Sequence, residues 1–234
     1  MKKAFLLLMI LLTQLIKNIM KTIKIILGLL FAFSLSVSAQ QMRFGVTGGM
    51  NVTSTSSCDS QVGFRLGGKA ELDASFIGKG FFFDASLLLS QTPLKATADG
   101  NIYFREDESV MPLHNYWKAT PTYLELPIHF GYRFKVGDAV SLFVKGGPYV
   151  ALGVFGKVKT WQTTDGVMVH DVKESAFKNW INRFDWGLGL RVGAEFLNHY
   201  QISVGHDWGL KGVEKNYSLS DKHRTYSISV AYMF

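Results

Sequence analysis

Four groups of residues have the types needed for chemistry. His206 and Asp207 contain the parts of a general-base pair, but adjacent residues of an extended chain point to opposite faces and cannot easily share a proton. His129 could meet Asp84 and Ser86 only inside an enclosed lumen, where a substrate has poor access. His170, Asp171 and Glu174 form one set able to bind a metal, and Glu106, Asp107, Glu108 and His114 form another. Neither spacing is a recognised metal signature, and solvated loop charge is the plainer reading of both. The chain has no G-x-S-x-G, no phosphate loop and no nucleic-acid module. No catalytic, cofactor-binding or metal-ligating residue is expected, and the chain reads as a non-enzyme with no nucleic-acid partner.

A larger constellation lies in charges that alternate with apolar residues. Arg43, Arg65, Lys69, Arg133, Lys145 and Arg191 are its cations, and Glu71, Asp73, Asp84, Glu125, Asp185, Glu195 and Asp207 its anions, with His129 among them. The alternation is clearest over residues 64–76, where Phe64, Leu66, Gly68, Ala70, Leu72, Ala74 and Phe76 take every second position. A helix would mix the two sets around its circumference, whereas a strand puts all the charges on one face. Similar stretches cover residues 42–50, 81–90, 123–134, 140–154, 184–196, 200–210 and 226–234. Strands in soluble domains average about five or six residues, and roughly nine to eleven tilted ones cross a bilayer. The pattern predicts an all-β fold: an eight-stranded antiparallel up-and-down transmembrane β-barrel.

The connections between these stretches, residues 51–62, 77–80, 91–122, 135–139, 155–183, 197–199 and 211–225, alternate long and short. A transmembrane barrel has that asymmetry, with short turns on the periplasmic rim. Both termini are therefore expected in the periplasm and the long loops outside. Phe76, Phe81, Phe134, Phe196, Tyr200, Tyr232 and Phe234 gather near the short turns, and Phe64, Phe184, Trp186, Trp208 and Tyr226 near the other end. Two such belts match interfacial aromatic girdles.

The polar face carries many glycines, among them Gly67, Gly147, Gly187 and Gly193, which suit a crowded lumen better than a solvated surface. The apolar face then meets lipid, and the inward charges should pair across the lumen as a plug rather than form an ion path. Pro127 and Pro148 fall inside predicted strands, so a bulge near each, or a shortened strand, is expected.

Composition agrees with an exported chain. The formal charge of +7 comes largely from five lysines before residue 40, which leaves 20 basic against 18 acidic residues and a net +2. A basic partner-binding surface is thus not indicated. Lys21 and Lys24, an apolar run over residues 25–37 and the small residues Val37-Ser38-Ala39 read as a signal peptide over residues 1–39, with Met20 as the expected true start. Residues 40–234 then form one barrel domain. Cys58, the single cysteine, lies too far downstream to carry a lipid and reads as a lone loop thiol.

Several segments resemble the PorT-like outer-membrane β-barrel family of Bacteroidota. They are Phe44-Gly-Val-Thr-Gly-Gly-Met-Asn51, Thr122-Tyr-Leu-Glu-Leu-Pro-Ile-His-Phe-Gly-Tyr-Arg-Phe134, Lys145-Gly-Gly-Pro-Tyr-Val150, the 184–196 stretch and the closing 226–234 stretch. The resemblance covers essentially all of the mature chain, and its Tyr-Leu-Glu-Leu-Pro block is the most specific part. It implies an eight-stranded barrel that tolerates Pro127, and it supplies no catalytic residues. The name-giving member belongs to a gliding and protein-secretion apparatus.

The expected protein is a monomeric barrel embedded in outer-membrane lipid, contacting an envelope or secretion-apparatus protein through the loops 91–122 and 155–183. Tyr116, Trp117, Trp161 and Trp180 are the candidate contact aromatics. A narrow transport pore and a lipid-modifying outer-membrane enzyme are the alternatives.

Overall fold

A computed structural model describes residues 42–103, 110–164, 167–214 and 221–234. The predicted signal peptide with its Met20 start lies outside the described residues, as do Glu106, Asp107 and Glu108. Among the described residues the chain forms strands β1 (Met42–Ser54), β2 (Gln61–Asp73), β3 (Phe81–Gln91), β4 (Leu94–Tyr103), β5 (Val110–Ala119) and β6 (Thr122–Lys135). These are followed by β7 (Val140–Phe155), β8 (Lys157–Thr164), β9 (Val167–Ser175), a one-turn helix α1 (Ala176–Asn179), β10 (Phe184–Phe196), β11 (Tyr200–Gly212) and β12 (Lys222–Met233).

Eight of these close into a barrel in the order β1-β12-β11-β10-β7-β6-β3-β2, every neighbouring pair antiparallel. Its strands run from 11 to 16 residues, enough to cross a bilayer when tilted. Alternation sets the two faces as the sequence predicts. Leu66 and Leu190 are 60% and 45% exposed on the outside, whereas Glu71 and Arg191 are 3% and 7% exposed within. An outer face so apolar is stable only against lipid.

Several boundaries move. The second strand occupies Gln61–Asp73 rather than 64–76, because the Ala74 amide turns to the Phe81 carbonyl and leaves Phe76 in the connection. The first strand runs on to Ser54, and the last begins at Lys222. The prolines cause neither the expected bulge nor a shortened strand, since β6 and β7 keep 14 and 16 residues. Pairing between β6 and β7 lapses after Pro127↔Tyr149 and resumes at Phe130↔Gly146 in the same register. Gly147 makes this possible: a Cβ there would collide with the Ile128 carbonyl oxygen. The missing proline N–H groups are thus absorbed as a short gap in the ladder.

The larger departure is in the two long connections, expected as loops. They form two hairpins that join through β5 and β8 into a second sheet of order β4-β5-β8-β9. This sheet prolongs the barrel wall. Gln91 pairs with Thr122 in the barrel and Leu94 with Ala119 beyond it in the same register; likewise Thr122 pairs with Phe155, then Ala119 with Val158. Amide bonds from Thr92 to the Pro121 carbonyl (3.1 Å) and from Thr120 to the Lys157 carbonyl (2.9 Å) carry the ladder through the junction.

At that end the lumen is closed by a small core. Tyr123, Tyr149 and Ala151 from the barrel pack with Ala119 and Val158 of the outer sheet and with Ala176, Phe177 and Ile181 around α1. Phe177 meets Tyr123 edge-on, with centroids 5.4 Å apart, and fills the space that a Cβ on Gly153 would need. The segment after α1 is strapped to the end of β11, its Asn182 side-chain amide donating to the Gly212 and Glu214 carbonyls at 2.8 and 3.0 Å.

Candidate functional site: the lumen charge network

Strand alternation aims the predicted charges inward, and the closed barrel brings them within reach of one another. Toward the short-turn rim the network centres on Glu71 and Glu195. Arg43 donates to both Glu195 oxygens at 3.1 Å, and Arg133 reaches Glu71 Oε2 at 2.7 Å and Glu195 Oε2 at 3.1 Å. Gln201 bridges the two carboxylates, donating to Glu71 at 2.9 Å and Glu195 at 2.6 Å while its own oxygen accepts from Lys69 at 2.7 Å. Midway, Asp84 lies 2.9 Å from both Lys69 Nζ and Lys145 Nζ.

Farther along, Asp207 is held by Arg191 at 2.8 Å and Arg65 at 3.4 Å, and Arg65 also pairs with Glu125 at 2.6 Å. Under the closed mouth, Asp185 accepts from the Tyr149 hydroxyl at 3.0 Å and lies 3.4 Å from His223 Nε2. Aromatic residues on the inner face complete the filling: the Arg133 guanidinium lies 4.6 Å over the Phe82 ring, and Phe82 packs edge-on to Phe143.

Thirteen of the fourteen predicted network residues line this interior. Asp73 does not: it is exposed at the end of β2, where it accepts the Ser75 amide at 2.8 Å and caps the turn. The set misses Gln201, Tyr149 and His223. Gln201 and Tyr149 fall at inward positions of their strands, so parity could have found them, whereas His223 lies in a stretch read as loop.

The proposed chemical pairings do not assemble. Asp207 points inward, while His206 stands outside between Trp208 and Tyr226. His129 lies opposite Asp84 in register, yet its Nε2 sits 3.4 Å from Arg191 and Asp84 is occupied by two ammonium groups. On β9, His170 and Glu174 lie on one face and Asp171 on the other. Asp171 pairs with Lys159, and Glu174 accepts from the Trp180 indole. His114 pairs with Asp99 at 2.7 Å. Among the described residues no cluster of His, Cys, Asp and Glu has the geometry of a metal site.

The candidate contact aromatics divide. Tyr116 and Trp161 stack on the outer sheet with centroids 5.1 Å apart, and Trp180 is exposed. Trp117 points to the opposite face from Tyr116 and packs on the mouth core, which removes it from the contact set.

Little room is left in the lumen. The cavity among Arg65, Lys69, Asp84, His129 and Lys145 has about 30 Å³, and the one beneath the mouth about 10 Å³. These are spaces for one or two waters, not for a solute. The network can therefore fix the strands relative to one another and block passage.

The family model for the outer membrane protein beta-barrel domain matches residues 38–214. A comparison with curated proteins finds no match. Among solved structures, the attachment invasion locus protein Ail of Yersinia pestis is similar at 14% identity and a TM-score of 0.35, covering 82% of this chain and 97% of that one. Neisserial surface protein A is similar at 12% identity and a TM-score of 0.40, with the same coverage. The N-terminal β-barrel domain of Pseudomonas aeruginosa OprF is similar at 9% identity and a TM-score of 0.31, covering 83% and 100%. Likeness this slight adds nothing to the family match. On a model spanning most of the chain, the protein belongs to the outer-membrane β-barrel domain family and is an outer-membrane protein.

Proposed function

We propose that the protein is a non-enzymatic, PorT-like outer-membrane anchor that presents its second sheet outside the cell to an envelope partner, as an accessory to protein secretion. The observation that carries this reading is the filled and closed lumen beneath a sheet built as a direct extension of the barrel wall. A barrel plugged by ion pairs has no path to offer a solute, so what it holds up must do the work. Its first and last strands meet at the short-turn rim, where the Phe234 amide donates to the Phe44 carbonyl at 2.8 Å; in this reading that rim is periplasmic. The barrel has no open edge, which favours a monomer within the bilayer.

Affinity purification from cells tests the reading, comparing the whole protein with a variant trimmed of residues 94–119 and 157–175. Loss of every co-purifying envelope protein from a trimmed barrel that still shows folded, heat-modifiable gel mobility is the expected result. Unchanged partners would refute the role of the sheet.

A further inference from the structure

The strand registers of the outer sheet put four lysines in one row. Lys95 pairs with Lys118, Lys118 with Lys159, and Lys159 with Lys173, one from each strand. With strands about 4.8 Å apart the row spans roughly 14 Å. Like charges placed directly opposite across a ladder destabilise it. Lysines on edge strands commonly guard against unwanted pairing, which would account for Lys95 and Lys173 but not for Lys118 and Lys159 on the two central strands. Of these four, among the described residues, Lys159 has an ionic partner in the exposed Asp171 at 3.4 Å, and Asp59 stands opposite Lys95 across an isolated bridge. Three adjacent like-charge pairs with so little neutralisation point to an anion supplied from outside.

The place of the row says which anion. Ala119 and Val158 pack with lumen residues, so the opposite face, carrying Tyr116, Trp161 and the lysines, continues the barrel's lipid-facing exterior. Lys95 is four residues beyond Gln91, the last of β3, or roughly 13 Å farther along the strand. The row thus faces sideways above the hydrocarbon, at the level of the headgroups of the surrounding leaflet. Lys157, one row nearer the barrel on the same face, adds a fifth amine. A single-stranded nucleic acid would need open ring faces for its bases. Trp161 offers none, with Tyr116 stacked on one side and the Lys159 ammonium 5.3 Å over the ring.

We propose that the lysine row Lys95-Lys118-Lys159-Lys173 is a docking surface for the phosphorylated sugar headgroups of glycolipid in the leaflet around the barrel. The proposal rests on the reading that this rim faces outward.

The test places the full chain in phosphatidylcholine nanodiscs and measures binding of rough lipopolysaccharide, the same glycolipid after dephosphorylation, and a single-stranded oligonucleotide. Wild type should bind the phosphorylated form at least about tenfold more tightly than a K95Q/K118Q/K159Q/K173Q variant, with the advantage shrinking as salt rises. Without glycolipid that variant should melt at a higher temperature than wild type, because the repulsion is gone, which also shows that it folds. Equal binding by the variant, equal binding of the dephosphorylated form, or preference for the oligonucleotide would each overturn the proposal. Labelling a Lys118→Cys variant on intact cells reads orientation separately. A protected thiol there would overturn the outward reading, whatever the nanodiscs report.

Discussion

Asp84 has the most demanding position among the lumen residues, as the shared anion of two ammonium groups that are themselves buried. Substituting Asp84→Ala leaves Lys69 and Lys145 facing each other without it, and removing one partner of a buried pair typically costs ~3–5 kcal/mol. Urea unfolding in detergent micelles should show a loss of that order, and adding Lys145→Met should recover part of it, since the second change removes a stranded charge. A double variant no more stable than the single one would mean that the pairs are not coupled. Cys58 gives a residue-scale prediction outside the membrane. Burial pushes its thiol above the ordinary range, with a hydrogen bond from Thr55 opposing in part. A raised value keeps the thiol protonated to higher pH, and the thiolate is the reactive form. Alkylation at pH 8 should therefore be several-fold slower in the folded protein than in urea, the gap narrowing as pH rises; equal rates would contradict the burial. At this scale much of the lumen was legible, because a period of two assigns Glu71 or Arg191 to a face without any structure. Which charges pair was not legible: Arg65 meets Glu125 from a strand that is not its neighbour, and sequence carries no distance across a barrel.

Among the elements, the turn between β10 and β11 and the helix at the mouth give the sharpest tests. Leu197 and Asn198 both have left-handed backbone angles, φ 52° and 59°, in a tight turn closed by the His199 amide bond to the Phe196 carbonyl. Asparagine tolerates that region and leucine does not, at a cost of about 1–2 kcal/mol. Replacing Leu197→Asn should stabilise the barrel by roughly 1 kcal/mol in the same urea assay; a destabilised variant would show that the exposed leucine contributes more than the turn strain costs. Phe177→Ala empties the wedge between Tyr123 and Gly153, a change of the kind that costs about 3–5 kcal/mol in a core. Limited proteolysis should then cut within residues 156–183 many-fold faster while β1 and β12 stay protected. The barrel strands were readable because each has one face in lipid and one in the lumen, giving alternation over ten residues or more. The outer sheet was harder to read: β8 has polar residues on both faces, and β4, although it alternates, offers mainly the small residues Ala96, Ala98 and Gly100 beside Leu94 and Ile102 at its apolar positions. Its contact aromatics were read as loop residues for the same reason, and no alternation separated Trp117 from Tyr116.

For the whole molecule, lipid outside, ion pairs inside and a closed mouth are the features on which the proposed role as a support rather than a conduit rests. That fold class could be read from periodicity, connection lengths and glycine placement, all of which are local or nearly so. The charged plug followed from the same alternation, but the closed mouth could not be read, since it depends on Phe177 and Ile181 arriving from a segment with no period of its own. The central claim is that the lumen is closed, and single-channel recording of the refolded protein in a planar bilayer tests it most directly. No sustained conductance is predicted at any holding potential. Steady openings that vanish when Glu71 or Arg191 is replaced would contradict it, because current would then be passing through the residues assigned to the plug.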